Sequence, residues 1–434
     1  MRFSIQEVEF FERPVRLRMP FRFGVVTMTE APQAFARVAI VLEGKTAHGA
    51  AAELLAPKWF DKNPALSNDD NFEQLRASMR SARRQYLEPS ANTAYGHSRP
   101  TAGLVENFGP ALIDRAVLDS LCRRLDISFY DAIRSNVVGL DLPRAFLESL
   151  RPAPQIAARH TVGLLDPISR VEQRVNDGLP ETLEEVIARY GHRWFKLKVS
   201  GDVRADVDRL TAIAAVLDRI PEPYYASLDG NEQYDDIDGV FTLWSAMKAN
   251  PRLGRLLSGI AFIEQPIKRQ KALSAAVSAL ADKPMIIDES DDSLDAFPRA
   301  KALGYRGVSS KTCKGIYKSL VNAARCREWG EGYFMTGEDL TIQAGIALQQ
   351  DLALVSLLGL THVERNGHHY VNGMADLPRA EQDRFLEAHG DLYERSHGAV
   401  RLRIGKGMIR MGSLDCPGYA SRAMPDWESM RRMD

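Results

Sequence analysis

The chain has 434 residues, 45% hydrophobic and 26% charged, an ordinary balance for a folded globular protein and enough for two domains or one large barrel with an attached module. A formal net charge of -1 gives no electrostatic case for nucleic acid or an anionic membrane as partner. No run approaches the ~18 apolar residues of a membrane span, the N-terminus lacks a signal peptide's apolar core, and the cysteines Cys122, Cys313, Cys326 and Cys416 form no CxxC pair, so a cytoplasmic protein with reduced thiols and no zinc site is expected.

Residues 3–18 alternate apolar and charged with period two, which predicts a strand. Pro20-Phe21-Arg22-Phe23-Gly24 breaks it, Ala34 to Leu42 reads as a second strand, and Glu43-Gly44-Lys45 as the turn into a third at Ala47–Leu54. Residues 56–70 predict a long loop, 70–86 a helix, 88–105 a second irregular stretch, and 109–124 a firmer helix. From about 154 strand and helix alternate. Gln155–Val162 is the first strand of a parallel repeat. Five short apolar runs follow, each ending in polar or charged residues. Their marked ends, Lys198, Asp229, Glu264, Asp288 and Lys311, lie 31, 35, 24 and 23 residues apart, a spacing that suits one strand, one helix and two short loops. Strands ending near Thr336 and Glu364 complete eight, the count of a (β/α)8-type TIM barrel. The fold class expected is therefore α/β. It consists of an α+β module at 1–150, the barrel at 151–390, and a tail at 391–434 that returns to the first module as extra strands.

In such a barrel all strand ends of one sense share one mouth. Asp229, Glu264 and Asp288 would converge there and repel one another unless a hard divalent cation relieved them. All-oxygen ligands with open positions suit Mg2+, with Mn2+ as a substitute. Lys196 and Lys198 alternate on one strand, so both side chains take the same face. A lysine beside a divalent cation and other cations has a lowered pKa and can act as a general base. Lys198 on the second strand and Lys311 on the sixth would face each other across a substrate.

The set Lys196-Leu197-Lys198, Asp229-Gly230-Asn231, Ile263-Glu264-Gln265-Pro266, Asp288-Glu289-Ser290 and Lys311 resembles the enolase superfamily, and within it the muconate-lactonising-enzyme subgroup. The resemblance covers nearly the whole chain, with residues 1–150 and the tail as an α+β capping domain. It implies a Mg2+-dependent enzyme that removes the proton alpha to a substrate carboxylate through a metal-stabilised enediolate. It further implies Asp229, Glu264 and Asp288 as ligands, Lys198 and Lys311 as the acid/base pair, and Lys196 as the group that supports the carboxylate and holds down the pKa of Lys198. Asn231, Glu289 and Glu338 would stand behind these. The mandelate-racemase subgroup would want a histidine base on strand seven, where this chain reads Thr336-Gly337-Glu338-Asp339.

Two departures stand out. The family's glycine pair after Lys311 is replaced by Thr312-Cys313-Lys314-Gly315, and Lys314 either meets an anionic substrate group or lies on the outer surface. The capping region also carries extra residues between Leu55 and Glu106. Phe21, Phe23 and Trp59 either close an apolar lid over the site or pack the capping domain itself. His160, His368 and His369 lie near strand ends and are candidates for substrate contact. The expected substrate is a small carboxylate and the expected state a homo-oligomer. Racemisation or epimerisation of an amino-acid or dipeptide-like acid leads, followed by cycloisomerisation and acid-sugar dehydration. A non-catalytic metal-binding barrel would not need both lysines. A zinc hydrolase would want a His-x-His pair at the first strand, where only His160 occurs.

Overall fold

A computed structural model of the chain describes residues 1–24, 26–277, 283–338, 343–366 and 369–434. Strands β1 (Ser4–Phe23), β2 (Val26–Leu42) and β3 (Lys45–Leu54) form an antiparallel meander. β1 does not stop at Pro20. A register shift between Arg16 and Phe21 absorbs the irregularity, and pairing resumes with Phe21 opposite Met28. The turn between β2 and β3 puts Glu43 and Gly44 at positive φ, as a tight hairpin requires.

Two helices cover this sheet. Asn68–Tyr86 starts at a capping box, with Ser67 and Asp70 bonding each other's backbone N–H, and buries Phe72, Leu75, Met79 and Ala82 along one stripe. Phe108–Leu125 is buried at nearly every position. It lies so close to β3 that a Cβ on Gly49 would stand 2.2 Å from the Ser120 nitrogen, so only glycine fits there.

The barrel closes with eight parallel strands: β4 (Gln155–Val162), β5 (Trp194–Lys198), β6 (Tyr225–Asp229), β7 (Ile260–Glu264), β8 (Met285–Ile287), β9 (Gly307–Ser310), β10 (Phe334–Gly337) and β11 (His362–Glu364), with β11 pairing back onto β4. Strand alternation sorts the side chains into two populations. Phe195, Leu197, Leu228, Ile263, Ile287 and Val308 point out and share a core with the surrounding helices. The inward set is layered. Trp194, Phe262 and His362 stack at the closed end, with Trp194 and His362 centroids 3.9 Å apart, and charged residues fill the other end.

The tail divides three ways. β12 (Tyr393–Ser396) and β13 (Ala399–Leu402) form their own hairpin, β14 (Met408–Arg410) pairs with β4 of the barrel, and only β15 (Arg431–Met433) joins the N-terminal sheet, beside β1. One apolar cluster runs from Phe10 and Phe35 of the meander to Val355 and Val363 of the barrel, so the two parts share a core. Among the described residues, no helix is long and apolar enough to cross a membrane.

Candidate active site at the open end of the barrel

The ends of β5 to β9 meet. Lys196, 1% exposed, donates to Glu264 Oε1 at 2.8 Å, Glu338 Oε2 at 2.8 Å and Glu364 Oε2 at 3.1 Å, and its ammonium lies 2.9 Å from Asp229 Oδ2. Lys198 donates to the same Asp229 oxygen. Four strands away, Lys311 donates to Asp288 Oδ2 at 2.7 Å. The two predicted acid/base lysines thus stand on opposite sides of one mouth, each resting on a predicted metal ligand. Asn231 donates its backbone N–H to Asp229 Oδ1 at 2.9 Å and its side-chain amide to Glu289 Oε1 at 3.3 Å.

Burial works against every charge here, and neighbours decide the outcome. Desolvation opposes the Lys196 ammonium, but Asp229, Glu264 and Glu338 outweigh it and hold its pKa well above the usual lysine value. Burial opposes ionised Asp288 too, yet Lys311 and Lys314 hold it well below the carboxylate range. Glu338, gripped by Arg159 and Lys196 against the cost of burial, falls to about 2. Glu264 goes the other way. Burial, then Glu338, push it well up, and Lys196 does not compensate. Lys311 is also raised, because Asp288 outweighs desolvation. The lowered pKa expected from the sequence for the base Lys311 is therefore absent. That expectation presumed a cation on the carboxylates, whereas here the lysines hold those oxygens themselves.

A hard cation nevertheless fits the donor set. Glu264 Oε2, Glu289 Oε2 and Asn231 Oδ1 are buried oxygens without a hydrogen-bond donor, an arrangement that costs free energy unless a proton or a cation satisfies it. Among the described residues, no trio of potential ligands is drawn around a common point. Asp229 and Asp288 lean on lysines, and Asp229, Glu264 and Asp288 would have to turn toward an ion to hold it.

The opposite wall of the cavity comes from the meander and the loop after β3. Phe21, Phe23, Met28, Ala56 and Trp59 face Lys196, Lys198, Asn231, Lys311 and Glu364. The Lys311 ammonium lies 4.2 Å from the Trp59 ring centroid, and that of Lys198 lies 5.9 Å from Phe21. Phe21, Phe23 and Trp59 line the cavity and at the same time pack in the capping core, so the two sequence readings meet in one set of side chains. The loop is tied down beside them. Lys62 reaches Glu232 Oε2 at 2.6 Å, the Asn231 carbonyl at 2.8 Å and Glu289 Oε1 at 3.2 Å, while Arg269 donates to the Trp59 and Phe60 carbonyls at 2.8 Å and chelates Glu232.

Three expectations need correction. His160 points out of the barrel, because β4 alternates and it is Arg159 and Thr161 that face in. Its ring packs on His192 at 5.3 Å and on His369 at 5.0 Å. His369 belongs to that outer cluster, 3.4 Å from Asp166, and does not line the cavity. His368 lies outside the described residues. Lys314 is neither on the surface nor in the cavity. It is 2% exposed and donates to Ser309 Oγ at 2.8 Å, with Asp291 Oδ2 at 3.2 Å and Asp288 Oδ1 at 3.4 Å. Ser309 itself bonds Asp288. Sequence reasoning missed Arg159 and Thr161, which bond Glu338 and Glu364, although the alternation that aims Lys196 inward applies to them equally.

Residues 178–406 match the family model described as enolase C-terminal domain-like. No curated protein matches the chain in sequence. Among solved structures, the muconate lactonizing enzyme from Pseudomonas fluorescens complexed with muconolactone is similar at 16% identity and TM-score 0.64, over 98% of this chain and 97% of that one. The dipeptide epimerase from Cytophaga hutchinsonii, complexed with Mg and the dipeptide D-Ala-L-Val, is similar at 14% identity and TM-score 0.64, over 99% of each chain. The L-Ala-D/L-Glu epimerase from Bacillus subtilis is similar at 15% identity and TM-score 0.62, over 94% of this chain and 99% of that one. With more than half its length matched and a barrel whose strand ends carry the expected lysines and acids, the chain belongs to the enolase C-terminal domain-like family of the enolase superfamily.

Proposed function

We propose that this protein is an enzyme that moves the proton alpha to a substrate carboxylate, and that its net reaction is racemisation or epimerisation of an amino-acid-derived acid. The observation that carries the reading is the pair of ammonium groups, Lys198 and Lys311, on strands four apart and opening on one cavity. A base on one side and an acid on the other can remove the proton from one face and return one to the opposite face.

Asp229, Glu264 and Asp288 would hold Mg2+. When bound, Mg2+ supplies the Lewis acidity that makes an α-proton next to a carboxylate removable near neutral pH. In this reading, Lys198 and Lys311 each carry or accept one proton at Nζ. Lys196 keeps a permanent positive charge toward the substrate carboxylate. Asn231, Glu289 and Glu338 fix the ligands and Lys196 through the bonds described above. Phe21, Phe23 and Trp59 keep water from the reacting carbon.

A second reading keeps Lys311 as a fixed cation and Lys198 as the only base, the pattern of a cycloisomerase. The Trp59 face over the Lys311 ammonium favours it. Proton NMR in D2O with Mg2+ tests both readings. Deuterium entering at the α-carbon with interconversion of enantiomers, abolished by chelation, is the expected result. Exchange without inversion favours the one-base reading. No exchange across a library of carboxylates contradicts both.

A further inference from the structure

The two walls of the cavity differ in kind. Among the described lining residues, every charged group (Lys196, Lys198, Lys311 and Glu364) and the Asn231 amide belong to the barrel, and the capping residues are hydrocarbon or thioether apart from the Trp59 indole N–H, a buried donor without a partner. Alternation along the hairpin enforces this. Phe21, Phe23 and Met28 turn in and are at most 8% exposed, while Arg22 and Thr27 between them turn out to solvent. Neither lysine of the adjoining capping loop is a lining residue: the Lys62 ammonium is held by Glu232, Glu289 and the Asn231 carbonyl, and that of Lys58 by the Asn63 and Leu66 carbonyls. Glu364, the acid on the cavity wall, already accepts from Lys196 and Thr161.

A carboxylate bound to the barrel floor must turn its other substituents toward the capping wall. Several hydroxyls placed there would give up water for carbon with at most the Trp59 N–H as a donor to them, and a second charge would fare worse. An aliphatic or aromatic group gains by the same move. We propose that the substrate is a monocarboxylate whose remaining substituents are uncharged and largely apolar. This rests on the proton-transfer reading and narrows it toward acids with a blocked or absent amino group, and away from acid sugars, dicarboxylates and free dipeptides.

Binding of compounds that cannot react separates this inference from the reaction itself. Four analogues without an α-proton form a matched set: α,α-dimethylbutanoate, α,α-bis(hydroxymethyl)propanoate, α,α-dimethylmalonate and β-amino-α,α-dimethylpropanoate. Each is titrated into the full chain loaded with Mg2+ and followed by ligand-detected NMR. The apolar dimethylbutanoate is expected to bind at least about tenfold more tightly than each of the others, roughly the effect of one unmatched polar group. Equal or tighter binding of any polar analogue overturns the inference, as does failure of all four to bind. If the ranking holds but no carboxylate exchanges its proton in D2O, the reaction is wrong and the ligand class stands.

Discussion

The barrel floor and the capping wall enclose the same cavity and are built on opposite principles. On the floor, each of Lys196, Lys198 and Lys311 rests on at least one carboxylate, and Lys196 alone joins four. The floor is thus an interlocked network carried on rigid strands, where removing one ion strands its neighbours. On the capping wall, apolar side chains meet through van der Waals and ring contacts, such as Phe21 with Phe23 at 5.2 Å. Such a wall tolerates exchange of one hydrophobe for another of similar volume. On the proposed reading, the difference separates the chemistry from the choice of substrate. The floor must stay nearly whole for any reaction, while the wall can change and redirect it.

The sharpest way to break the floor is to remove a lysine to which the proposed reaction assigns a proton transfer. Lys198→Ala and Lys311→Ala are each expected to slow racemisation by about 10²–10⁴-fold, the range of general acid–base catalysis, with circular dichroism unchanged. Glu264→Gln is next. It should weaken Mg2+ binding by more than about tenfold in calorimetry, since one anionic ligand becomes neutral. An unchanged affinity would remove Glu264 from the ligand set.

Arg159→Met tests the coupling of the network. It leaves Glu338 buried with Lys196 as its remaining strong partner and should cost about 3–5 kcal/mol in urea unfolding. The pH dependence gives a second readout. Glu338 titrates near 2 in the folded chain, below its unfolded value. Its contribution is therefore present above the unfolded pKa and lost as pH falls from about 4.5 toward 2. That acid loss should be smaller in the variant. Lys62→Met acts on the other wall and is milder. Freed of the tie to Glu232, residues 56–62 should exchange amide hydrogens faster, and KM should rise about two- to fivefold with kcat less affected, in keeping with a partly exposed ion pair. A fall in kcat with KM unchanged would instead place Lys62 among the groups acting on the transition state.

The floor was legible in the sequence because two periodicities carry it. The strand–helix repeat spaces Lys198, Asp229, Glu264, Asp288 and Lys311, and the period of two aims Lys196 with Lys198. The same rule would have found Arg159 and Thr161 and excluded His160, which sits between them and faces out. The capping wall was legible only in part. Phe21 and Phe23 show the alternation, but Lys62 meets Asn231 and Glu289 across 169 and 227 residues, and no local pattern reports such a contact. Lys314 had two sequence readings and took neither place, because the short turn Thr312–Lys314 folds its side chain back behind Asp288.

The most direct test of the central claim, two bases on opposite faces, is α-proton exchange followed separately for each enantiomer in Lys198→Ala and Lys311→Ala, in D2O with Mg2+. The account predicts that both variants lose interconversion, that Lys198→Ala still exchanges one enantiomer, and that Lys311→Ala still exchanges only the other. Exchange of both enantiomers in Lys311→Ala, with none in Lys198→Ala, would contradict it and leave a single base.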